Sequence, residues 1–220
     1  MLTSDLVTRY PTLFHMAEDG SWPSILRHGL LSTSALLSLY NYQGSDRFRI
    51  ESEWREEKVL VRREGLADAV IRDQKPMPPC VLSSCLAGIT TRQWYHLING
   101  KVFFWVNHED LEMLLSAKEY KNRPHVVVKV DTKLLMKHYG DQVTLSGINS
   151  GSTLSKPPHV RGSNTFQTVS EYRLPSVREL CVDEAIPRIS DVAIDVHRMI
   201  AHRLDFNTPP KIETLAKLWP

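Results

Sequence analysis

Thr12-Leu13-Phe14-His15-Met16, followed by Ser21-Trp22-Pro23-Ser24-Ile25-Leu26-Arg27-His28-Gly29-Leu30-Leu31-Ser32, is the stretch on which the reading of the fold turns. The first five residues are mostly apolar and read as a short strand. Ser21 then offers a helix N-cap, with Pro23 tolerated in the first turn. Ile25 and Leu26 supply an apolar helix face, and Gly29 is placed to end the helix. A strand that feeds a short helix within twenty residues, and then returns to Leu30-Leu31, is a compact strand–helix unit.

The same alternation continues along the chain. Residues 34–40 read as a short helix. Residues 45–64 mix Arg47, Arg49, Arg55, Lys58, Arg62 and Arg63 with Glu51, Glu53, Glu56 and Glu57, the pattern of a solvated helix face. A surface for nucleic-acid phosphates is the competing reading. Ala69-Val70-Ile71 is a candidate strand, and Pro76, Pro78 and Pro79 break the chain. Helices are expected over 81–86 and 90–98, with Asn99-Gly100 as a turn. Val102-Phe103-Phe104-Trp105-Val106 is a continuous apolar run and reads as a buried strand. An amphipathic helix is expected over 109–120, a strand over 125–130, a short helix over 134–138 and a strand over 142–145. Residues 147–170 are rich in Gly, Ser, Asn and Pro, and a loop that long inside a domain is usually functional. A strand is expected over 178–186, and 192–200 begins strand-like and then becomes ambiguous. The tail from Asn207 carries Pro209 and Pro210 and ends on Leu218-Trp219-Pro220.

Short strands interleaved with short helices point to an α+β fold around a split, mostly antiparallel sheet. One domain over 1–220 is expected, with a helical insertion at 45–100 and an active-site loop at 147–170. The glycine-rich fingerprints of dinucleotide and phosphate loops are absent, which argues against a doubly wound sheet. An apolar fraction of 42% and a charged fraction of 24% are those of a soluble globular protein. No apolar run approaches a membrane span, no signal peptide is visible, and the expected compartment is the cytoplasm. A net charge of +2 is no polyanion-binding footprint by itself. Three dispersed cysteines, Cys80, Cys85 and Cys181, read as buried thiols rather than a disulfide framework or zinc site.

Familiar catalytic patterns fail. His108-Glu109 opens like a zincin helix, but position 112 is Glu112 rather than the second histidine, and no metal is expected. His197 and His202 are five apart, off one helical face. There is no Gly-x-Ser-x-Gly elbow.

What remains are two segments at opposite ends of the chain. Phe14-His15-Met16 with Ile25-Leu26-Arg27-His28-Gly29-Leu30-Leu31-Ser32 resembles the opening of ADP-ribosyltransferases of the DarT kind, where a strand histidine precedes such a helix end. It is also similar, more distantly, to the poly(ADP-ribose) polymerase branch with its His–Tyr–Glu pattern. Downstream, Arg178-Glu179-Leu180-Cys181-Val182-Asp183-Glu184-Ala185-Ile186-Pro187 resembles the DarT strand that carries the catalytic Glu. One departure is Ala17, where the DarT pattern has a Thr hydroxyl.

The resemblance implies an ADP-ribosyltransferase fold and NAD as a substrate, with ADP-ribose passed to a nucleic-acid base. Glu179 and His15 are the implied catalytic pair. The chemistry suits them. Breaking the nicotinamide glycosidic bond builds positive charge on the ribose, which a carboxylate stabilises. An imidazole can hold a ribose hydroxyl with one nitrogen while the other fixes its orientation. Met16, Gly29, Leu30 and Ser32 complete the implied NAD contacts. Tyr120 stands roughly where the His–Tyr–Glu branch places its ring, Arg72 is a candidate for the pyrophosphate, and Ser150 lies in the long loop. An antitoxin or ADP-ribosyl hydrolase is an implied partner. Protein ADP-ribosylation, RNA 2′-phosphotransfer on the same fold, and an inactive NAD- or nucleic-acid-binding module remain open alternatives.

Overall fold

The computed structural model describes residues 1–203 and 208–219. Helix α1 (Thr3–Arg9) leads into strand β1 (Thr12–Glu18), then α2 (Trp22–His28), β2 (Leu30–Leu31), α3 (Thr33–Leu39) and α4 (Gly44–Ser52). A hairpin β3 (Val59–Val61) and β4 (Ala69–Ile71) follows, with α5 (Pro79–Ser84), β5 (Leu86–Ala87) and α6 (Thr91–Asn99). The second half runs β6 (Lys101–Trp105), α7 (His108–Leu115), β7 (Pro124–Asp131), α8 (Thr132–Tyr139), β8 (Val143–Ser146), β9 (Arg161–Gly162) and β10 (Gln167–Thr168). It closes with β11 (Glu179–Asp183), β12 (Ala185–Ile186), β13 (Ala193–His202) and β14 (Lys211–Trp219). The fold is α+β.

One eight-stranded sheet orders as β10-β8-β11-β6-β1-β7-β13-β14, and every pairing in it is antiparallel. One face carries Leu13, Ala17, Phe104, Val126, Val128, Val130, Leu180 and Val182, and α1, α2 and α8 cover it with Leu6, Trp22 and Leu135. The other face carries Phe14, Met16, Val127 and Met199 under Leu111 and Leu115 of α7. Alternation along β1 and β7 thus sends successive side chains into two different cores.

The pairings are uneven. β1 and β7 share seven register pairs, whereas β1 and β6 share one, Phe14 with Trp105. Beyond that pair β1 and β6 separate, so the sheet has a seam beside His15.

Local chemistry accounts for the helix ends. Ser32 Oγ accepts the Ala35 N–H at 3.1 Å, Thr90 and Gln93 form a capping box, and Asp131 accepts the Leu134 N–H at 2.8 Å. Gly29 ends α2 with φ of 88°. Ser21, expected to cap α2, instead gives its hydroxyl to the Glu18 carbonyl.

Several expectations need correction. Residues 45–64 are not one helix. It stops at Ser52, and Val59-Leu60-Val61 pairs with Ala69-Val70-Ile71, because β-branched residues favour the hairpin that closes a small core with Leu37, Tyr40 and Ile50. The 45–100 insertion is therefore mixed rather than helical. Helix α7 ends at Leu115, short of Tyr120. Glu184, at φ of 63°, breaks the 178–186 strand into β11 and β12. The ambiguous 192–200 segment is a ten-residue strand. The tail forms β14, an edge strand whose exposed side chains carry little alternation to read. Asn207 and Pro220 lie outside the described residues. Cys80 is exposed, unlike Cys85 and Cys181. No helix among the described residues is long and apolar enough to cross a membrane.

Candidate functional site

Glu179 opens β11 in the middle of the sheet, in register with Trp105 on β6 and Ser146 on β8. It is only 4% exposed. Both carboxylate oxygens accept from the backbone N–H of Ser150, at 3.2 and 3.1 Å. Burial pushes the Glu179 carboxyl up to about 7, against the pull of Ser150, Arg178 and Arg161. Ser150 Oγ is buried beside the same carboxylate without a well-directed hydrogen bond. The long loop therefore reaches the implied catalytic residue, and Ser150 touches it directly.

His15 lies at the seam. Its Nδ1 is 2.8 Å from the Phe103 carbonyl, and its ring packs 5.7 Å from that of Phe104. A carbonyl only accepts, so Nδ1 carries the proton and Nε2 is the acceptor nitrogen. Nε2 has no hydrogen-bond partner in the described residues. Burial lowers the His15 pKa to about 4, so the ring is neutral at pH 7.

The two residues do not touch. Phe14, not His15, shares the phase of Glu179, since both pair with Trp105. In a continuous sheet that would set His15 and Glu179 on opposite faces. The imidazole keeps to that opposite side, packed against Phe104, whose side chain shares a core with Leu13, Ala17 and Leu180. With only one pair holding β1 to β6, the imidazole turns towards β6 and ends at the Phe103 backbone. β6 stands between the two side chains, and no hydrogen bond joins them.

A second group gathers near the end of β1. Arg72 Nη2 donates to the Met16 carbonyl at 2.7 Å, its Nε lies 3.6 Å from Glu18, and its guanidinium sits 5.1 Å over the Tyr120 ring. Lys58 shares the Glu18 carboxylate at 2.8 Å. Burial raises the Tyr120 phenol pKa. Arg72, Met16 and Tyr120 are thus brought together, but Arg72 already has carboxylate and carbonyl partners. An incoming phosphate would have to compete with Glu18. The Met16 side chain is part of the core.

Gly29, Leu30 and Ser32 serve the fold. Leu30 and Leu31 pair with Ile186 and Ala185, and the Ser32 N–H donates to the Glu184 carbonyl at 2.8 Å. A Cβ on Gly29 would stand 2.7 Å from Ile186 O and Pro187 Cα. The close approach expected there is made by the protein's own backbone, so Gly29 is no open grip for a ligand. Leu30 is core, and Ser32 Oγ caps α3.

Two contributors to the site were not anticipated. Arg161 is 1% exposed and bonds the Ser150 and Ser152 carbonyls at 3.2 and 3.0 Å. Arg178 pairs with Asp110 at 2.8 Å and lies 5.9 Å over Trp105, the residue between Glu179 and Phe14. The one signal for Arg161 was its place in Arg161-Gly162-Ser163-Asn164-Thr165-Phe166, a charged residue in an irregular stretch. Separately, α4 and α6 flank a cleft of about 820 Å³ lined by Phe48, Glu51, Arg92 and His96. It contains none of the anticipated residues.

No curated protein matches this sequence. The pattern of DUF7002, a family of unknown function, matches residues 11–193, which take in both β1 and β11, and the chain belongs to that family.

Proposed function

We propose that this chain is an NAD-dependent mono-ADP-ribosyltransferase, taking NAD as substrate and passing ADP-ribose to an acceptor. The observation that carries this reading is Glu179, a buried carboxylate at the start of a central strand, capped by one loop N–H and with no ion-pair partner among the described residues. Structural carboxylates rarely sit buried without an ion pair. One held near neutrality in a rigid strand suits a role in chemistry.

The chemistry asked of these residues is modest. As the C–N bond to nicotinamide stretches, positive charge develops at the anomeric carbon. The ionised Glu179 stabilises that charge and accepts a hydrogen bond from a ribose hydroxyl. The hydroxyl would join or displace Ser150 as donor. The positive charge of bound NAD favours the ionised carboxylate. His15, neutral and held at Nδ1 by Phe103, keeps Nε2 as an acceptor and would meet a second ribose hydroxyl only across the seam between β1 and β6. Arg72 would meet the pyrophosphate in exchange for Glu18. A nucleic-acid base as acceptor rests on the DarT resemblance, as does a partner antitoxin or hydrolase.

The test is incubation with NAD and chromatography for free nicotinamide, with and without single- and double-stranded oligonucleotides. Mass spectrometry of the oligonucleotide reads the transfer. Nicotinamide release that collapses in Glu179→Gln is the expected result. Release no higher than background with every acceptor would end the transferase reading.

A further inference from the structure

Arg161 is a guanidinium sealed inside the protein with no carboxylate within ion-pair distance among the described residues. Its Nε, Nη1 and Nη2 donate to the carbonyls of His159, Ser150 and Ser152 at 3.2, 3.2 and 3.0 Å. The remaining contacts are the Trp94 ring, 5.8 Å away, and Met77 Sδ at 3.9 Å. A buried cation without a counter-charge is costly and calls for a reason.

The reason lies one residue away. Ser150, whose carbonyl Arg161 holds, is the residue whose N–H caps Glu179. The two bonds fall on either side of the Ser150 Cα, in adjoining peptide planes, so holding the carbonyl restrains the backbone from which the N–H points. We propose that Arg161 is a positioning residue for Glu179, acting through Ser150 and supplying the unneutralised positive charge nearest that carboxylate's cap. This rests on reading Glu179 as the working carboxylate.

Among the other groups facing Glu179, Arg178 also pulls on the carboxyl, but none besides Arg161 reaches the Ser150 cap. Arg178, its strand neighbour, is paired with Asp110. Ser146 and Trp105, its register partners, carry no charge. Cys181, on the same face of β11, is a buried thiol whose pKa burial raises, so it stays neutral. Nor is Arg161 what holds the loop down. Thr153 N and Oγ1 both donate to the Pro76 carbonyl at 2.9 and 3.0 Å, and β9 pairs in parallel with β5. Gly162 makes that pairing possible, because a Cβ there would stand 2.2 Å from the Ala87 carbonyl oxygen.

The experiment is a carbon-13 NMR titration of the Glu179 side-chain carboxyl in the whole chain, wild type against Arg161→Gln and Arg161→Lys. Near-ultraviolet circular dichroism checks the fold, and Thr153→Val is the loop control. Loss of the cation and of the aligned N–H both disfavour the carboxylate, so the midpoint in Arg161→Gln should rise by about one pH unit. Arg161→Lys keeps the charge but cannot span three carbonyls, and should rise by part of that. Thr153→Val should leave it unchanged. An unchanged midpoint in either folded Arg161 variant overturns the proposal. A fall towards the ordinary carboxylate range also overturns it, since Arg161 would then only be keeping water out. Should Arg161→Gln fail to fold, Arg161→Lys decides alone. The titration needs no turnover. Absence of nicotinamide release would sink the transferase reading while leaving the Arg161 comparison intact.

Discussion

Replacing Glu179 with Gln should make the protein more stable above neutrality and abolish the proposed nicotinamide release. Burial lifts the carboxyl from 4.5 to about 7. Below pH 4.5 the folded and unfolded chains both hold this proton, and the group adds no pH-dependent cost. Between pH 4.5 and about 7 the unfolded chain releases the proton while the folded chain keeps it, so stability falls as pH rises. Above about 7 both are ionised and the full penalty applies. At ~1.4 kcal/mol per pH unit, that penalty is about 3 kcal/mol. Gln at the same site can still accept the Ser150 N–H through Oε1 and give one amide N–H to the Ser150 hydroxyl, but its second amide N–H gains no evident acceptor, which offsets about 1 kcal/mol. The net gain at pH 8 is about 2 kcal/mol, a rise in Tm of about 4–8 °C for a chain of this size. Thermal unfolding of wild type and variant at pH 8 and at pH 4.5 reads it, and the advantage should be gone at the lower pH. An equal Tm difference at both pH values, or a variant less stable at pH 8, would refute the reasoning. A gain in stability matched by loss of nicotinamide release is the signature of a functional rather than a structural carboxylate.

In the pH–rate profile of nicotinamide release, activity should rise to a plateau through about pH 7 as Glu179 ionises, with no limb from His15 above pH 5 because that ring is already neutral; a profile flat from pH 5 to 9 would contradict it. His15→Ala removes the free Nε2 and should lower nicotinamide release by about a hundredfold or more, the usual scale for a positioned imidazole, and unaltered release would remove His15 from the site. Gly29→Ala should destabilise by about 2 kcal/mol or more, since φ of 88° and a 2.7 Å approach to Pro187 both resist a Cβ; a denaturant midpoint unmoved by the change would mean that β12 shifts freely. Arg72→Ala should raise the KM for NAD more than it lowers kcat if its guanidinium meets the pyrophosphate, whereas unchanged kinetics would leave it a partner of Glu18 and Tyr120 only.

Local signals carried the elements and left their arrangement open. Val102–Val106 and His125–Val130 were legible as strands because both are buried on two faces and read as continuous apolar runs. The helix end at Gly29 was legible for its glycine, although the reason for that glycine, the backbone of Pro187 more than 150 residues later, was not. Charge at helical spacing misled at 45–64, where a hairpin that closes on a small core won over the helical pattern past Ser52. β14 was illegible because an exposed edge strand has no buried face to impose a period on it.

By itself the sequence singled out the carboxylate of Glu179 and the imidazole of His15 as candidates, since residue types and short motifs are local properties. Only the tertiary structure decided what each of them faces. The register through Trp105 set the two out of phase, the single β1–β6 pair left the seam where the imidazole turns, and the long loop returned Ser150 and Arg161 to cap and charge the carboxylate. A side chain's ionisation depends on burial and on neighbours from distant parts of the chain, and no local pattern records those.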